Sequence, residues 1–234
     1  MKIAFFSDIH GNIYSFEKFI VDIHMDKIEY IFFCGDIFGY YYYQNEILDF
    51  LRTNEEFCKC ILGNHDKMFL DLLENKCDEE SLILKYGNSY KGIGKRISQE
   101  NIDFLKFLPT IRFFNIQGRK IVITHGSLTD NLNGRIYPNT DIDKADLYKQ
   151  YDYVILGHTH HKMVRTVGET YIINPGSIGQ QRDGKGCSYL VLDLDNGYFN
   201  FKTIEYDVQK LLMDIDKNDN GNYKLKEVLT RRRD

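Results

Sequence analysis

The feature that most constrains this chain is a rhythm played three times before residue 74: an apolar run, a polar loop containing glycine, then an amphipathic run. Lys2 to Phe6, Tyr30 to Cys34 and Phe57 to Ile61 read as buried strands. Their exit loops are Ser7-Asp8-Ile9-His10-Gly11-Asn12, Gly35-Asp36-Ile37-Phe38-Gly39-Tyr40 and Leu62-Gly63-Asn64-His65-Asp66. After the first loop, Ile13, Phe16, Phe19, Ile20 and Ile23 recur at helical spacing. A second helix is expected from about Asn45, with Ile47, Leu48 and Leu51, and a third carries Met68, Phe69, Leu70, Leu72 and Leu73. Strand, loop and helix in this order predict an α/β fold, a parallel sheet with helices on its faces. Such sheets bind ligands beyond the carboxyl ends of their strands, where Asp8, His10, Asp36 and Asn64 all fall.

Residues 67–108 read as helical and carry no evident chemistry, with a helix start at Ser98-Gln99-Glu100-Asn101 and an end at Pro109. From Arg112 the pattern turns to strands. A hairpin is expected around Gln117-Gly118-Arg119, with His125 at its exit. Asn131 to Asn139 reads as a loop beside the site, and Asp141 as the cap of a short helix reaching Gln150. Tyr153 to Leu156 is a strand that ends in Gly157-His158-Thr159-His160. Strands follow at Met163 to Val167, Thr170 to Ile173, Ser188 to Leu194 and Phe199 to Glu205, then a helix with Val208, Leu211 and Leu212. The second half thus adds a second sheet to the same core. Residues 1–234 are expected to form one domain, with 207–234 as a C-terminal helical appendage.

A net charge of −4 gives no strong pull toward nucleic acid or an anionic membrane, and Arg231-Arg232-Arg233 reads as a solvated tail. No apolar run is long enough to span a membrane, and a cytoplasmic location is expected. Cys34, Cys58, Cys60, Cys77 and Cys187 are odd in number and lack Cys-x-x-Cys spacing, which fits reduced thiols rather than disulfides or a zinc knuckle.

The chemistry gathers at strand ends. Asp8, His10, Asp36, Asn64, His125, His158 and His160 offer seven oxygen and nitrogen donors, more than one tetrahedral ion takes and suited to two cations sharing a carboxylate. Imidazole mixed with carboxylate, and no thiolate, favours manganese first, with iron, nickel or zinc as alternatives. Two such ions would lower the pKa of a water between them and stabilise both the attacking and leaving oxygens of an in-line displacement at phosphorus. His65 can act as a general acid or charge clamp, and Asp66 can orient an imidazole. Five of the seven histidines lie in these loops, whereas His24 and His161 do not and read as structural.

Taken together, Ser7-Asp8-Ile9-His10-Gly11-Asn12, Gly35-Asp36, Gly63-Asn64-His65-Asp66, His125-Gly126 and Gly157-His158-Thr159-His160 resemble the calcineurin-like metallophosphoesterases, in order, over residues 1 to about 206. Ile173-Asn174-Pro175-Gly176-Ser177-Ile178-Gly179-Gln180 resembles the tail of the small bacterial and archaeal phosphodiesterase branch. The resemblance implies a four-layer α-β-β-α sandwich of two mixed sheets flanked by helices. It implies Asp8, His10 and His160 on a first metal, Asn64, His125 and His158 on a second, and Asp36 bridging them. His65 would contact the phosphate and protonate the leaving oxygen or stabilise charge, with Asp66 orienting its ring. The reaction implied is phosphodiester hydrolysis by a hydroxide bridging the ions. The alternatives are a phosphomonoesterase acting on protein or nucleotide, or a non-catalytic metal-binding scaffold such as the retromer subunit of similar fold. Retention of His65 and of the seven donors favours the enzyme. The substrate expected is a small phosphate ester, with a nucleotide among the options, and a homo-oligomer stays open.

Four further expectations come from single stretches. Where the broad family often has Gly-Asp-x-x-Asp, this chain has Gly39, so a hydrogen bond to a ligand such as His10 must be missing or come from elsewhere. Asn12 and Arg182 are candidates for holding phosphate oxygens. Tyr41-Tyr42-Tyr43 reads as an exposed run that lines a base-stacking pocket, makes a subunit contact or packs on its own helix. Asp216 to Glu227 fits an EF-hand pattern with glycine at position six, so calcium there competes with an Asn-rich turn before a short helix.

Overall fold

The computed structural model describes residues 1–231; the last two arginines of the basic terminal cluster lie outside the described residues. The first sheet contains β1 (Lys2–Phe6), β2 (Tyr30–Phe33), β3 (Cys58–Cys60), β9 (Ser188–Asp193) and β10 (Tyr198–Thr203), in the order β10-β9-β1-β2-β3. β1, β2 and β3 run parallel, and β9 and β10 complete the sheet antiparallel. The second sheet contains β4 (Ile111–Ile116), β5 (Arg119–Thr124), β6 (Tyr153–Ile155), β7 (Met163–Val167) and β8 (Thr170–Asn174), in the order β4-β5-β6-β8-β7. β5, β6 and β8 are parallel, with β4 and β7 antiparallel at the edges. The structure is therefore an α/β sandwich of two mixed five-stranded sheets flanked by helices.

Side-chain alternation explains the layering, because successive residues of a strand point to opposite faces. In β1, Ile3 and Phe5 point into the core between the sheets, where they meet Phe32, Ile123, Ile155 and Ile173. Ala4 and Phe6 point the other way, into the layer of α1 (Ile13–Met25), α2 (Gln44–Thr53), α3 (Asn64–Leu73), α4 (Glu79–Tyr86) and α5 (Gln99–Phe107). The outer face of the second sheet is covered more thinly, by Ile136 and Tyr148 of the segment after β5. The helix expected from Asp141 to Gln150 shrinks to a single 3₁₀ turn, Ala145–Leu147. The backbone bonds there reach three residues back, from Leu147 to Lys144, Tyr148 to Ala145 and Lys149 to Asp146, and the turn's side chains are not buried.

Two helices close the chain, α6 (Val208–Asp219) and α7 (Tyr223–Thr230). They pack Leu211, Ile215, Leu225 and Leu229 around Tyr41, which is fully buried. The tyrosine run is therefore an anchor and not an exposed stacking surface. Tyr42 donates its hydroxyl to Asp219, and Tyr43 and Tyr14 both donate to Asp214. Of the two readings of Asp216 to Glu227, the structure has the Asn-rich turn before a short helix and not the EF-hand loop. Asp216 to Asp219 continue α6 as helix, Asn220 ends it in the left-handed region, and Asn222 caps α7. No twelve-residue loop exists: Asp216 pairs with Lys226, and Glu227 with Arg231. No helix among the described residues is long and apolar enough to cross a membrane.

Candidate metal centre

All seven donors come together at the carboxyl ends of β1, β2, β3, β5 and β6. Asp8, His10 and His160 form one group, and Asp36, His125 and His158 another, with ligand atoms within 4.8 Å of one another in each. Asn64 joins the second group: its Oδ1 lies 3.0 Å from His125 Nε2 and 2.8 Å from His158 Nδ1. Asp36 faces both groups with one oxygen, Oδ2, which is 3.9 Å from His10 Nε2 and 3.2 Å from His125 Nε2.

Backbone conformation carries the cost of this convergence. Asp8, His10, Asp36, His158 and His160 all have positive φ, between 50° and 71°. Residues other than glycine rarely adopt that region, and such strain persists where surrounding structure enforces it, often at functional sites. Here the enforcement is visible. Ser177 Oγ donates to the Asp8 carbonyl at 2.7 Å, and Asn174 Nδ2 donates to the Gly157 carbonyl at 2.6 Å. The stretch from Asn174 to Gln180 thus holds two of the ligand loops at once.

Hydrogen bonds fix the tautomers of three imidazoles. His10 Nδ1 donates to the Phe38 carbonyl at 2.6 Å, His160 Nδ1 to the Gln180 carbonyl at 2.6 Å, and His125 Nδ1 to the Cys34 carbonyl at 2.7 Å. A neutral ring that donates through Nδ1 presents a lone pair at Nε2. His10 Nε2 and His160 Nε2 nevertheless face each other at 3.1 Å, with Asp8 Oδ1 3.1 Å from the latter. Asp8 Oδ1 is buried and has no hydrogen-bond partner. Three lone pairs aimed at one point repel each other unless a cation lies between them. The second group repeats the arrangement with His125 Nε2, Asn64 Oδ1 and Asp36 Oδ2. The donor set therefore fits divalent cations, and the carbonyl of Phe38 supplies the hydrogen bond to His10 that Gly39 cannot.

Electrostatics agree with a cation-hungry basin. Burial raises the carboxyl groups of Asp8 and Asp36, yet the imidazoles around them pull both far below the usual carboxylate range. Burial pushes His158 down to about 4, with His125 adding to it, and lowers His10 and His160 as well. His125 goes the other way: burial opposes its charge, but Asp36 outweighs burial and raises it to about 9, so in the absence of a metal ion a proton takes the cation's place beside Asp36.

His65 sits at the edge of this basin, where burial holds it at about 4. Its partner is not the one expected. The Asp66 carboxylate accepts the backbone N–H groups of Asp36, Ile37, Phe38 and Gly63, at 2.7–3.2 Å, and does not touch the His65 ring. Its role is to pin the loop that carries Asp36. The ring is placed instead by Tyr90, whose hydroxyl is 3.1 Å from Nδ1, and by Tyr86, 4.5 Å away between ring centroids. Gly39 leaves the room: a Cβ there would lie 2.5 Å from His65 Nδ1, and its φ of +87° is one that side chains disfavour.

The two substrate-binding candidates part company. Asn12 is fully buried and committed: its amide donates to the Gly179 carbonyl and the Tyr206 hydroxyl, and its oxygen caps α1 at Ser15. No polar atom is left for phosphate. Arg182 stands at the rim, donating to the Tyr40 hydroxyl at 2.9 Å and to Gln180 Oε1 at 3.0 Å. Arg135 was not among the sequence candidates, yet its Nε lies 3.0 Å from His158 Nε2. Its loop position offered no motif to single it out.

A two-sheet sandwich with converging donor groups at its strand ends has the makings of a divalent-metal centre. The comparisons are specific: the model of the calcineurin-like phosphoesterase superfamily domain matches residues 1–197, and the chain belongs to that family. It is 32% identical over 238 residues to an uncharacterized protein, MJ0912, of Methanocaldococcus jannaschii, covering 92% of each chain. It is 28% identical to the phosphodiesterase MJ0936 of the same organism, over 81% of this chain and 87% of that one. A hypothetical protein of Pyrococcus horikoshii, PH1004, shares the fold with a TM-score of 0.83 at 18% identity, covering 99% of both chains. The chain is thus a metal-dependent phosphoesterase, a hydrolase of ester bonds.

Proposed function

We propose that this chain is a phosphodiesterase that works with two divalent cations, manganese first. The single observation that supports it most is the pair of lone-pair clusters joined by Asp36 Oδ2. Asp8, His10 and His160 would hold one ion, Asn64, His125 and His158 the other, and Asp36 would bridge. When bound, the ions supply the positive charge that acidifies water between them and offsets charge on phosphoryl oxygens. His65, held by Tyr90, contacts the phosphate and gives a proton or hydrogen bond to the leaving oxygen. Asp66 acts through the backbone, keeping Asp36 in register with His65, whose N–H donates to Asp36 Oδ1 at 2.8 Å. Arg182, beside Gln180 and Tyr40, and Arg135, beside His158, suit non-bridging phosphate oxygens. Residues 1–234 act as one domain, in which the C-terminal appendage, 207–234, attaches through α6 and α7, packed on the tyrosine loop.

The preference for diesters draws on the similarity to a phosphodiesterase. The test is hydrolysis of bis(p-nitrophenyl) phosphate and p-nitrophenyl phosphate by chelator-stripped protein, with and without manganese. Manganese-dependent turnover that is faster on the diester is expected. Faster turnover of the monoester would replace the reading with a phosphomonoesterase.

A further inference from the structure

Beside the basin lies a cavity of about 240 Å³ that shares Arg182 and Tyr86 with it and extends away from the metal-binding donors. Tyr40 from the loop after β2, Lys85 and Tyr86 from the end of α4, Arg182 from the loop after β8 and Lys224 from α7 line it. The α7 wall lies beyond the stretch matched by the family model, which stops at residue 197.

We propose that this cavity is a subsite for the leaving group of the substrate, and that this leaving group carries a second phosphate, as a phosphorylated nucleoside does. The inference rests on the phosphodiesterase reading of the neighbouring centre and names the substrate class for it.

Charge is the first argument. Three cationic side chains line the cavity and no carboxylate does. Lys85 Nζ rests 5.0 Å from the centre of the Tyr86 ring, and the Arg182 guanidinium 5.8 Å from that of Tyr40. Arg182 hydrogen-bonds only neutral partners, Tyr40 and Gln180, among the described residues. None of the three cations is in a salt bridge with a described residue. The nearby carboxylate of Asp219 is engaged elsewhere, by the Tyr42 hydroxyl and the Asn88 N–H. Two exposed lysines and Arg182 around one hollow, in a chain of net charge −4, suit an anionic occupant.

Position is the second argument. Tyr40 and Tyr86 both contact the His65 ring, at 5.3 and 4.5 Å between centroids. The cavity therefore begins one ring beyond the group that meets the leaving oxygen. Shape is the third. The volume is below the ~300–1,000 Å³ of a site that encloses a whole ligand, so it takes one part of a substrate. The rings of Tyr40 and Tyr86, and Leu84 at the rim, 91% exposed, give a base or sugar an apolar face.

The test is a calorimetric titration of the manganese-loaded protein with adenosine 3′,5′-bisphosphate, beside a Lys85→Glu/Lys224→Glu variant and with adenosine as the uncharged probe. Binding is expected in the native chain, weakened about tenfold or more by the double charge reversal, with adenosine weak in both. No binding by the native chain, or equal binding by the variant, overturns the subsite. Because the readout is binding, it is independent of turnover. Loss of the phosphodiesterase reading would appear as no hydrolysis of bis(p-nitrophenyl) phosphate, whose leaving group carries no phosphate. Loss of the subsite alone would leave that hydrolysis intact.

Discussion

Two stretches of this chain carry oxygen donors at metal-binding spacing, and folding treats them in opposite ways. At the strand ends, three imidazoles, His10, His125 and His160, each use one nitrogen on a backbone carbonyl and aim the other at further lone pairs. At Asp216 to Glu227, the chain closes on itself. All of the would-be loop except Asn220-Gly221-Asn222 is helix, and its first and last carboxylates are paired with Lys226 and Arg231. The local pattern was respectable in both places. What separates them is distance along the chain. The strand-end donors are brought together from points as far apart as Asp8 and His160, on backbone held in disfavoured conformations by other loops. A motif becomes a site where topology leaves donors unsatisfied, and an ordinary turn where neighbours satisfy them.

The contrast can be broken at its strongest point first. Asp36→Asn removes the negative charge and one of the two oxygens of the carboxylate that faces both donor groups; elemental analysis is expected to find at least one metal position empty, and turnover to collapse. Full occupancy in that variant would remove Asp36 from its bridging place. Next comes the other region. Tyr41→Ala takes a fully buried ring from between α6, α7 and the loop after β2, and is expected to lower stability by about 3–5 kcal/mol in chemical denaturation. A shift below about 1 kcal/mol would mean that the appendage is held elsewhere. His65→Ala should then lower turnover roughly a hundredfold or more while leaving metal content nearly intact. Unchanged turnover would take His65 out of the chemistry. The smallest effect is expected at Asp216: calcium should shift the melting temperature of the native chain and of Asp216→Ala equally. A calcium shift lost in the variant would restore the EF-hand.

Much of this was legible in the residues themselves. β1, β2, β3, β5 and β6 are runs that turn apolar before a glycine-containing loop, and the seven donors follow from reading those ends. The signals are local, so one sequence suffices. What escaped depends on partners far along the chain. Asp66 is adjacent to His65 and looked like its orienting carboxylate, but its oxygens meet amides near residue 36. Tyr90 lies in a stretch without motifs, and only the turn after α4 brings its hydroxyl to His65. Asn12 looked free because its two amide partners are Gly179 and Tyr206. The tyrosine run was read as exposed because its cover, α6 and α7, lies some 170 residues later.

The most direct test of the central claim is electron paramagnetic resonance of the stripped chain titrated with manganese. Two ions per chain with the exchange coupling of a close pair are expected, since Asp36 Oδ2 faces both donor groups. Saturation at one ion, or two ions with the spectrum of isolated manganese, would contradict a shared centre.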